Sequence, residues 1–179
     1  MNRFSFLKFS SIIFFCLCTL VHGQEIKKTT EALLRNQFGK STSLKEQKYT
    51  IPATAKKKAE SAAKQKFNNS FIYIYTASVN GAVKGYGFLD NVQGKAMPIT
   101  FLVIFDTKGN ILSSAIVKYR EQYGGEVADK NWNKQFKGKN SSSDFTVGKS
   151  IDAISGATIS VNSVTRGIKK LAVLFREIF

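Results

Sequence analysis

Histidine and cysteine, on which many catalytic and metal sites depend, are scarce in this sequence. One histidine and two cysteines occur among 179 residues, and all three lie in the first 23 positions, as Cys16, Cys18 and His22. A chain that loses this segment has no thiol or imidazole, which excludes Cys/His zinc sites, haem ligation by histidine and a Ser-His-Asp triad. We therefore expect neither a metal site nor a catalytic residue.

Acidic residues are also few. Twelve Asp plus Glu stand against 27 Lys plus Arg, so the formal net charge is +15. A charge of this size bears on solubility and partners rather than on fold. The lysines are predicted to form solvated faces, with attraction to anionic membrane surfaces or to an acidic redox partner as the alternative. They lie at 56–58, 130, 134, 137, 139, 169 and 170.

The first 23 residues have the pattern of a secretory signal peptide. Arg3 and Lys8 precede an apolar run over residues 9–21, and Gly23 follows it. The run is shorter than the ~20 residues of a membrane-spanning helix, so a retained anchor is the weaker alternative. A lipoprotein is weaker still, because both cysteines lie inside the run. We expect residues 1–23 to be removed and the protein to be secreted across the inner membrane, to the periplasm or cell surface, with a net charge of 25 − 12 = +13.

The remaining chain divides into two predicted parts. Residues 24–70 are a polar, lysine-rich helical segment, with helices expected over 25–38 and 52–67. Residues 71–179 are the main domain, in which Asn80-Gly81 is a type I′ turn signal. Runs of β-branched and aromatic residues predict strands over 71–78, 82–89, 99–105 and 111–119.

Helices are expected to flank this sheet. A short one is predicted over 127–136, with Trp132 directed inward. The last helix has one apolar stripe with steps of three or four residues, formed by Val161, Val164, Ile168, Leu171, Phe175 and Ile178. The predicted class is α+β, an antiparallel sheet of about four strands with the C-terminal helix packed on it.

A segment of small and hydroxyl residues precedes that last helix. It reads Asp152-Ala-Ile-Ser155-Gly156-Ala157-Thr158, and the helix is expected to begin at about Ser160. Small residues allow a ligand to approach the backbone, and a helix amino terminus favours a phosphate near the Thr158 hydroxyl. The alternative is a plain helix start, with Ser160 as N-cap and Thr158 in an exposed turn.

This segment resembles the flavinylation motif of the FMN-binding domain family, which occurs in sodium-pumping and Rnf-type electron-transport complexes and in small secreted flavoproteins. The resemblance implies that FMN is joined to Thr158 by a phosphoester and is delivered from FAD by a flavin transferase. It also implies that the transferase reads Asp152, and that Ser155, Gly156 and Ala157 belong to the cofactor-binding motif.

A second segment carries the same resemblance. The family has a glutamate-and-glycine turn, which is similar to Tyr119-Arg-Glu121-Gln-Tyr-Gly124-Gly125 in this chain. The helix that follows the turn in the family is similar to the predicted helix with Trp132 and Gln135-Phe136-Lys-Gly138-Lys. Gly85-Tyr86-Gly87 resembles its early glycine-tyrosine strand. The family's respiratory subunits have Glu-Thr-Pro-Gly-Leu-Gly at the turn, which this chain lacks. The resemblance implies cofactor-binding roles for Glu121, Gly124, Gly125 and Trp132.

The implied function is an electron carrier with covalent FMN, working outside the cytoplasm with a membrane-bound redox partner, rather than an enzyme in its own right. A flavin accepts electrons on its own ring, so the protein needs no catalytic base. The alternative is a basic secreted module that binds anionic polymers or membrane surfaces without a redox cofactor. A nucleic-acid partner is not expected, because no exposed aromatics are interleaved with the lysines.

Overall fold

The computed structural model describes residues 23–179. The predicted signal peptide, including Cys16, Cys18 and His22, lies outside these residues, apart from Gly23. Within the described residues, no helix is both long and apolar enough to cross a membrane.

One antiparallel sheet organises the chain, and its five strands are hydrogen-bonded in sequence order. Four of them confirm the predicted runs, and Asn80 and Gly81 form the expected turn with φ of +52° and +78°. The strands are β1 (Ser43–Thr50), β2 (Phe71–Val79), β3 (Ala82–Gln93), β4 (Pro98–Asp106) and β5 (Ile111–Lys118).

Strand β1 was not predicted. It lies in the segment 24–70, where only helices were expected, and it pairs with β2 from Ser43↔Ser78 to Thr50↔Phe71. Most of its side chains are exposed because it is an edge strand, so its sequence lacks the apolar alternation that marks a half-buried strand. Pairing with β2, a tertiary effect, determines its conformation. The division at residue 70 remains a prediction.

The helices begin and end where local geometry dictates. Residues 23–38 form α1, and α2 (Ala53–Ala63) ends earlier than expected because Lys64 adopts a left-handed conformation with φ of +51°. The predicted helix over 127–136 is instead a 3-10 turn (Gly125–Ala128) followed by α3 (Lys130–Lys134). Asp129 separates them, because its extended backbone breaks the helix and its side chain caps α3.

The last helix, α4 (Thr158–Ile178), packs on the sheet through the predicted apolar stripe, and α2 packs beside it. On the opposite face, α1 covers a second apolar cluster through Leu34. Gly85 and Gly87 permit this contact, because added Cβ atoms would lie 2.6 Å from the Phe38 ring and 2.8 Å from Leu34. The sheet therefore lies between α1 on one side and α2, α3 and α4 on the other.

Lys170 departs from the predicted solvated faces. Its side chain is fully buried, and Nζ lies 3.3 Å from Asp90 Oδ2 of β3. It also donates to the Lys66 carbonyl oxygen at 3.0 Å and lies 4.0 Å from the centre of the Phe67 ring. Burial lowers the pKa of Lys170 and raises that of Asp90. The prediction was wrong for this residue, since the lysine run at 169–170 places one ammonium in the core.

Candidate functional site

A cleft of about 710 Å³ opens at the amino end of α4. Three segments far apart in sequence form it: the loop between β3 and β4, the loop after β5, and the start of α4. The cleft unites five of the predicted cofactor residues, Glu121, Gly124, Gly156, Ala157 and Thr158. The other lining residues are Lys95, Ala96, Met97, Arg120, Gln122, Tyr123, Ile159 and Ser160.

The start of α4 presents a hydroxyl and free backbone donors to this cleft. The helix begins at Thr158, two residues before the expected start, and Ala157 is the N-cap without a side-chain hydrogen bond. Gly156 precedes it with φ of +80°, a conformation that favours glycine. Thr158 is exposed, whereas Ser160 is buried inside the first turn rather than acting as the N-cap. The first-turn N–H groups therefore carry the positive end of the helix dipole next to the Thr158 hydroxyl.

Glu121 fixes the loop between β3 and β4. Its Oε1 accepts hydrogen bonds from the backbone N–H groups of Ala96 at 3.0 Å and Met97 at 3.1 Å. These bonds hold the pKa of Glu121 below its usual value. Gly94 leaves room for the carboxylate, because an added Cβ would lie 2.2 Å from Oε1. The contacts of Glu121 therefore orient the loop between β3 and β4.

Tyr119 joins the loop after β5 to α4. Its hydroxyl donates to the carbonyl oxygen of Tyr123 and is hydrogen-bonded to Ser160 Oγ at 2.9 Å. Gly124 fits beneath this junction with φ of +81°, where an added Cβ would lie 2.8 Å from Tyr119 Oη and 3.0 Å from Ser160 Oγ. The glycine is thus required both by its conformation and by its neighbours. The two walls of the cleft are held together by one tyrosine.

The rim of the cleft is apolar and exposed. Met97, Tyr123 and Ile159 expose 45%, 76% and 50% of their surface. They are three of the five large apolar side chains classed as exposed in the described part of the chain. Met97 and Ile159 were not predicted as site residues, because they lie next to the motifs rather than in them. The signal for Tyr123 was its place within the glycine-rich turn.

The other predicted residues lie beside the cleft rather than on it. Trp132 is buried, and its Nε1 donates to the Asp152 carbonyl oxygen at 2.9 Å. Gln135 Oε1 accepts from the Asp152 N–H at 2.7 Å, so α3 and its last turn hold the loop that leads to Thr158. Asp152 and Ser155 are exposed on that loop. Gly125 begins the 3-10 turn, with its Cα facing the Tyr119 ring.

Among residues 23–179, no group of three or more His, Cys, Asp or Glu side chains could hold an ion. The site's donors are backbone N–H groups and hydroxyls, a set suited to an anion.

Comparisons with known proteins agree with this geometry. Residues 94–173 match the family model of the FMN-binding domain. The fold is similar to the crystal structure of Shewanella oneidensis NqrC, at 18% sequence identity and a TM-score of 0.55 over 80% of this chain and 86% of that one. Curated proteins gave no match. The match includes both the loop after β5 and the Asp152–Thr158 motif, whereas Gly85-Tyr86-Gly87 lies outside it. The resemblance predicted from the sequence is thereby confirmed over residues 94–173, which match the model of the FMN-binding domain.

Proposed function

We propose that this protein is an extracytoplasmic electron-transfer flavoprotein that carries FMN through a phosphoester to Thr158. The observation that carries the proposal is the exposed Thr158 at the amino end of α4, which has no side-chain cap, inside a cleft that unites the two segments on which the family resemblance rests. An exported leader, predicted for residues 1–23, agrees with this location.

The phosphate of FMN fits the start of α4. Its negative charge is stabilised by the helix dipole and by the first-turn N–H groups, which have no side-chain cap. The buried Ser160 hydroxyl is hydrogen-bonded to Tyr119, so Thr158 is the exposed hydroxyl-bearing residue in the first turn of α4. A phosphoester at Thr158 therefore takes the place of water as the acceptor for the first-turn backbone N–H groups of α4.

The isoalloxazine ring fits the rim. A cleft of about 710 Å³ lies within the ~300–1,000 Å³ typical of small-molecule sites. Met97, Tyr123 and Ile159 would lose exposed apolar surface against a planar aromatic ring, which favours binding. Glu121 and Tyr119 would act indirectly, by holding the two loops that carry Met97 and Tyr123.

Attachment requires a donor enzyme. In the step we propose, the Thr158 oxygen forms a bond to the FMN phosphorus of FAD, the pyrophosphate P–O bond breaks, AMP leaves and the hydroxyl proton is released. Asp152 is exposed on the approach to Thr158, so a flavin transferase can contact it. When bound, FMN supplies reversible one- or two-electron chemistry, and the chain's own residues hold and orient it. The electron partner is a membrane-bound redox protein.

The test is flavin retention after denaturation. We expect the protein, co-expressed with a flavin transferase and exported, to keep flavin absorbance after acid precipitation, and Thr158→Val to lose all of it. Thr107→Val, at an exposed threonine in the turn after β4, is the matched control and keeps the flavin. Full retention by Thr158→Val, or complete release of flavin from the wild-type protein by acid, would refute the covalent linkage at this residue.

A further inference from the structure

The outer surface of α2 and α4 carries charge of almost one sign. From α2 through residue 66 and along α4 there are nine basic residues and two acidic ones, Glu60 and Glu177. Both acids are engaged, because Glu60 pairs with Lys66 at 2.9 Å and Glu177 pairs with Lys58 at 2.7 Å. Lys170 is buried against Asp90, and the other six cations form no ion pair with an acid on these two helices.

The two helices lie side by side and antiparallel. Lys58, midway along α2, pairs with Glu177 near the end of α4, whereas Gln65, just after α2, donates to the Ser163 carbonyl oxygen near the start of α4 at 3.0 Å. At 1.5 Å per residue, the 21 residues of α4 extend about 31 Å. The pair forms an extended layer on one side of the sheet.

Five cations of these two helices are accessible to solvent, and one of them, Arg176, also lines a cavity beside the turn after β4. Lys57, Lys64, Arg166 and Arg176 are exposed and Lys169 is partly exposed, while the apolar stripe of α4 faces the sheet. No ion pair in the described part of the chain involves any of the five. We call these five residues the basic layer.

The basic layer lacks the apolar anchors of a protein interface. The large exposed apolar residues of the described chain are Val83, Met97, Tyr123, Ile159 and Phe179, and none lies on α2 or between Arg166 and Arg176. Protein interfaces usually contain buried aromatic or apolar residues at their centre. An anionic lipid surface needs only several cations spread over an extended face, each within a Debye length of the head groups.

We infer that the basic layer is a docking surface for an anionic phospholipid membrane. The inference is independent of the flavin, because none of the five residues lines the cleft. The cleft at the amino end of α4 lies about 12 Å along the helix from Arg166. When the basic layer contacts lipid, we therefore expect the cleft to remain accessible to a partner. The domain is thereby held near the membrane while its cleft remains accessible.

Vesicle sedimentation tests the inference on the exported protein. We expect binding to vesicles of phosphatidylcholine with phosphatidylglycerol to exceed binding to phosphatidylcholine alone, and to fall steeply as salt rises from about 0.05 M to about 0.5 M. Lys57→Gln/Arg166→Gln should weaken binding roughly 25-fold, since each cation near a charged lipid surface contributes about fivefold. The wild-type protein and the variant have the same amino-terminal segment, so the difference between them does not depend on that segment.

The matched control is Lys28→Gln/Lys40→Gln, which removes the same charge from α1 and the loop after it, on the opposite face. The inference requires that this variant bind nearly as well as the wild-type protein. An equal loss in both variants would show that net charge alone acts and would overturn it. Equal binding to neutral and anionic vesicles would also overturn it. So would the finding that this protein binds an acidic protein but does not bind anionic vesicles.

Discussion

The two ends of α4 are built in opposite ways. At the carboxyl end, the Phe175 ring lies 5.0 Å from that of Phe105 and 5.7 Å from that of Phe88, with Tyr86 and Phe179 beside it. At the amino end, Thr158 follows Gly156 and Ala157 with no side-chain cap and is exposed. One end is closed by aromatic packing and the other is left open.

The carboxyl half of α4 therefore contributes to the stability of the fold, whereas its amino end is available to bind a ligand. Burial of large apolar side chains stabilises the fold in proportion to the area removed from water, so the carboxyl half holds α4 on the sheet. Small residues at the amino end contribute little to packing, and they leave backbone donors accessible to a ligand. Substitutions at the two ends should therefore affect different measurements.

Phe175→Ala should give the largest change in stability. It removes a buried ring from the aromatic cluster, and such substitutions cost about 3–5 kcal/mol of unfolding free energy. We expect urea denaturation to show this loss while flavin attachment in the folded fraction is unchanged. A loss below ~1 kcal/mol would mean that the carboxyl end does not hold the helix.

Lys170→Met tests the buried ion pair midway along α4. Removing one partner leaves Asp90 charged and buried, and the expected cost at about pH 8 is again about 3–5 kcal/mol. Burial raises the folded pKa of Asp90 above its ordinary 3.8. The contribution of Asp90 to the free energy of unfolding is therefore most favourable below pH 3.8 and is lost as the pH rises through the raised pKa. Unfolding measured at low and high pH should show a smaller cost in acid. Lys170→Met/Asp90→Asn should recover part of the loss, and a cost independent of pH would contradict this account.

Asp152→Ala should affect attachment rather than stability. The side chain is exposed, and the loop is held through its backbone by Trp132 and Gln135, so the expected change in unfolding free energy is within ~0.5 kcal/mol. Time courses of flavinylation with a purified transferase should be slower than for the wild-type protein. Unchanged attachment would remove Asp152 from the recognition site, and a large fall in melting temperature would make it a structural residue.

The smallest expected effect is a local response of the cleft to acid. The folded pKa of Glu121 lies below the ordinary 4.5, so its contribution is present above that value and is lost as the pH falls through the lowered pKa. Hydrogen exchange at the Ala96 and Met97 amides should accelerate there, whereas amides in the carboxyl half of α4 should not change. Glu121→Gln should remove this pH dependence, and equal acceleration in both regions would indicate global unfolding instead.

The sequence predicted those parts of the molecule that local patterns determine. Regular spacing of apolar residues located α4, and β-branched runs with Asn80-Gly81 located the central strands. The motif before α4 gave the family, which the match over residues 94–173 confirmed. These signals are readable because each depends on residues close together in the chain.

What could not be predicted depends on contacts between distant residues. Strand β1 exists through its pairing with β2, and Lys170 is buried because Asp90 and the Lys66 carbonyl oxygen lie opposite it. The rim residues Met97 and Tyr123 line one cleft because Glu121 and Tyr119 hold their loops. Trp132, expected to bind the cofactor, supports the Asp152 loop from behind.

The most direct test of the central claim is the mass of one tryptic peptide from the protein isolated from its own cells. Cleavage after Lys149 and Arg166 releases residues 150–166, which contain Thr158. The account predicts that this peptide carries the mass of FMN less one water, and that fragmentation places it on Thr158. An unmodified peptide from yellow protein, with FMN on another peptide or released by acid, would contradict it.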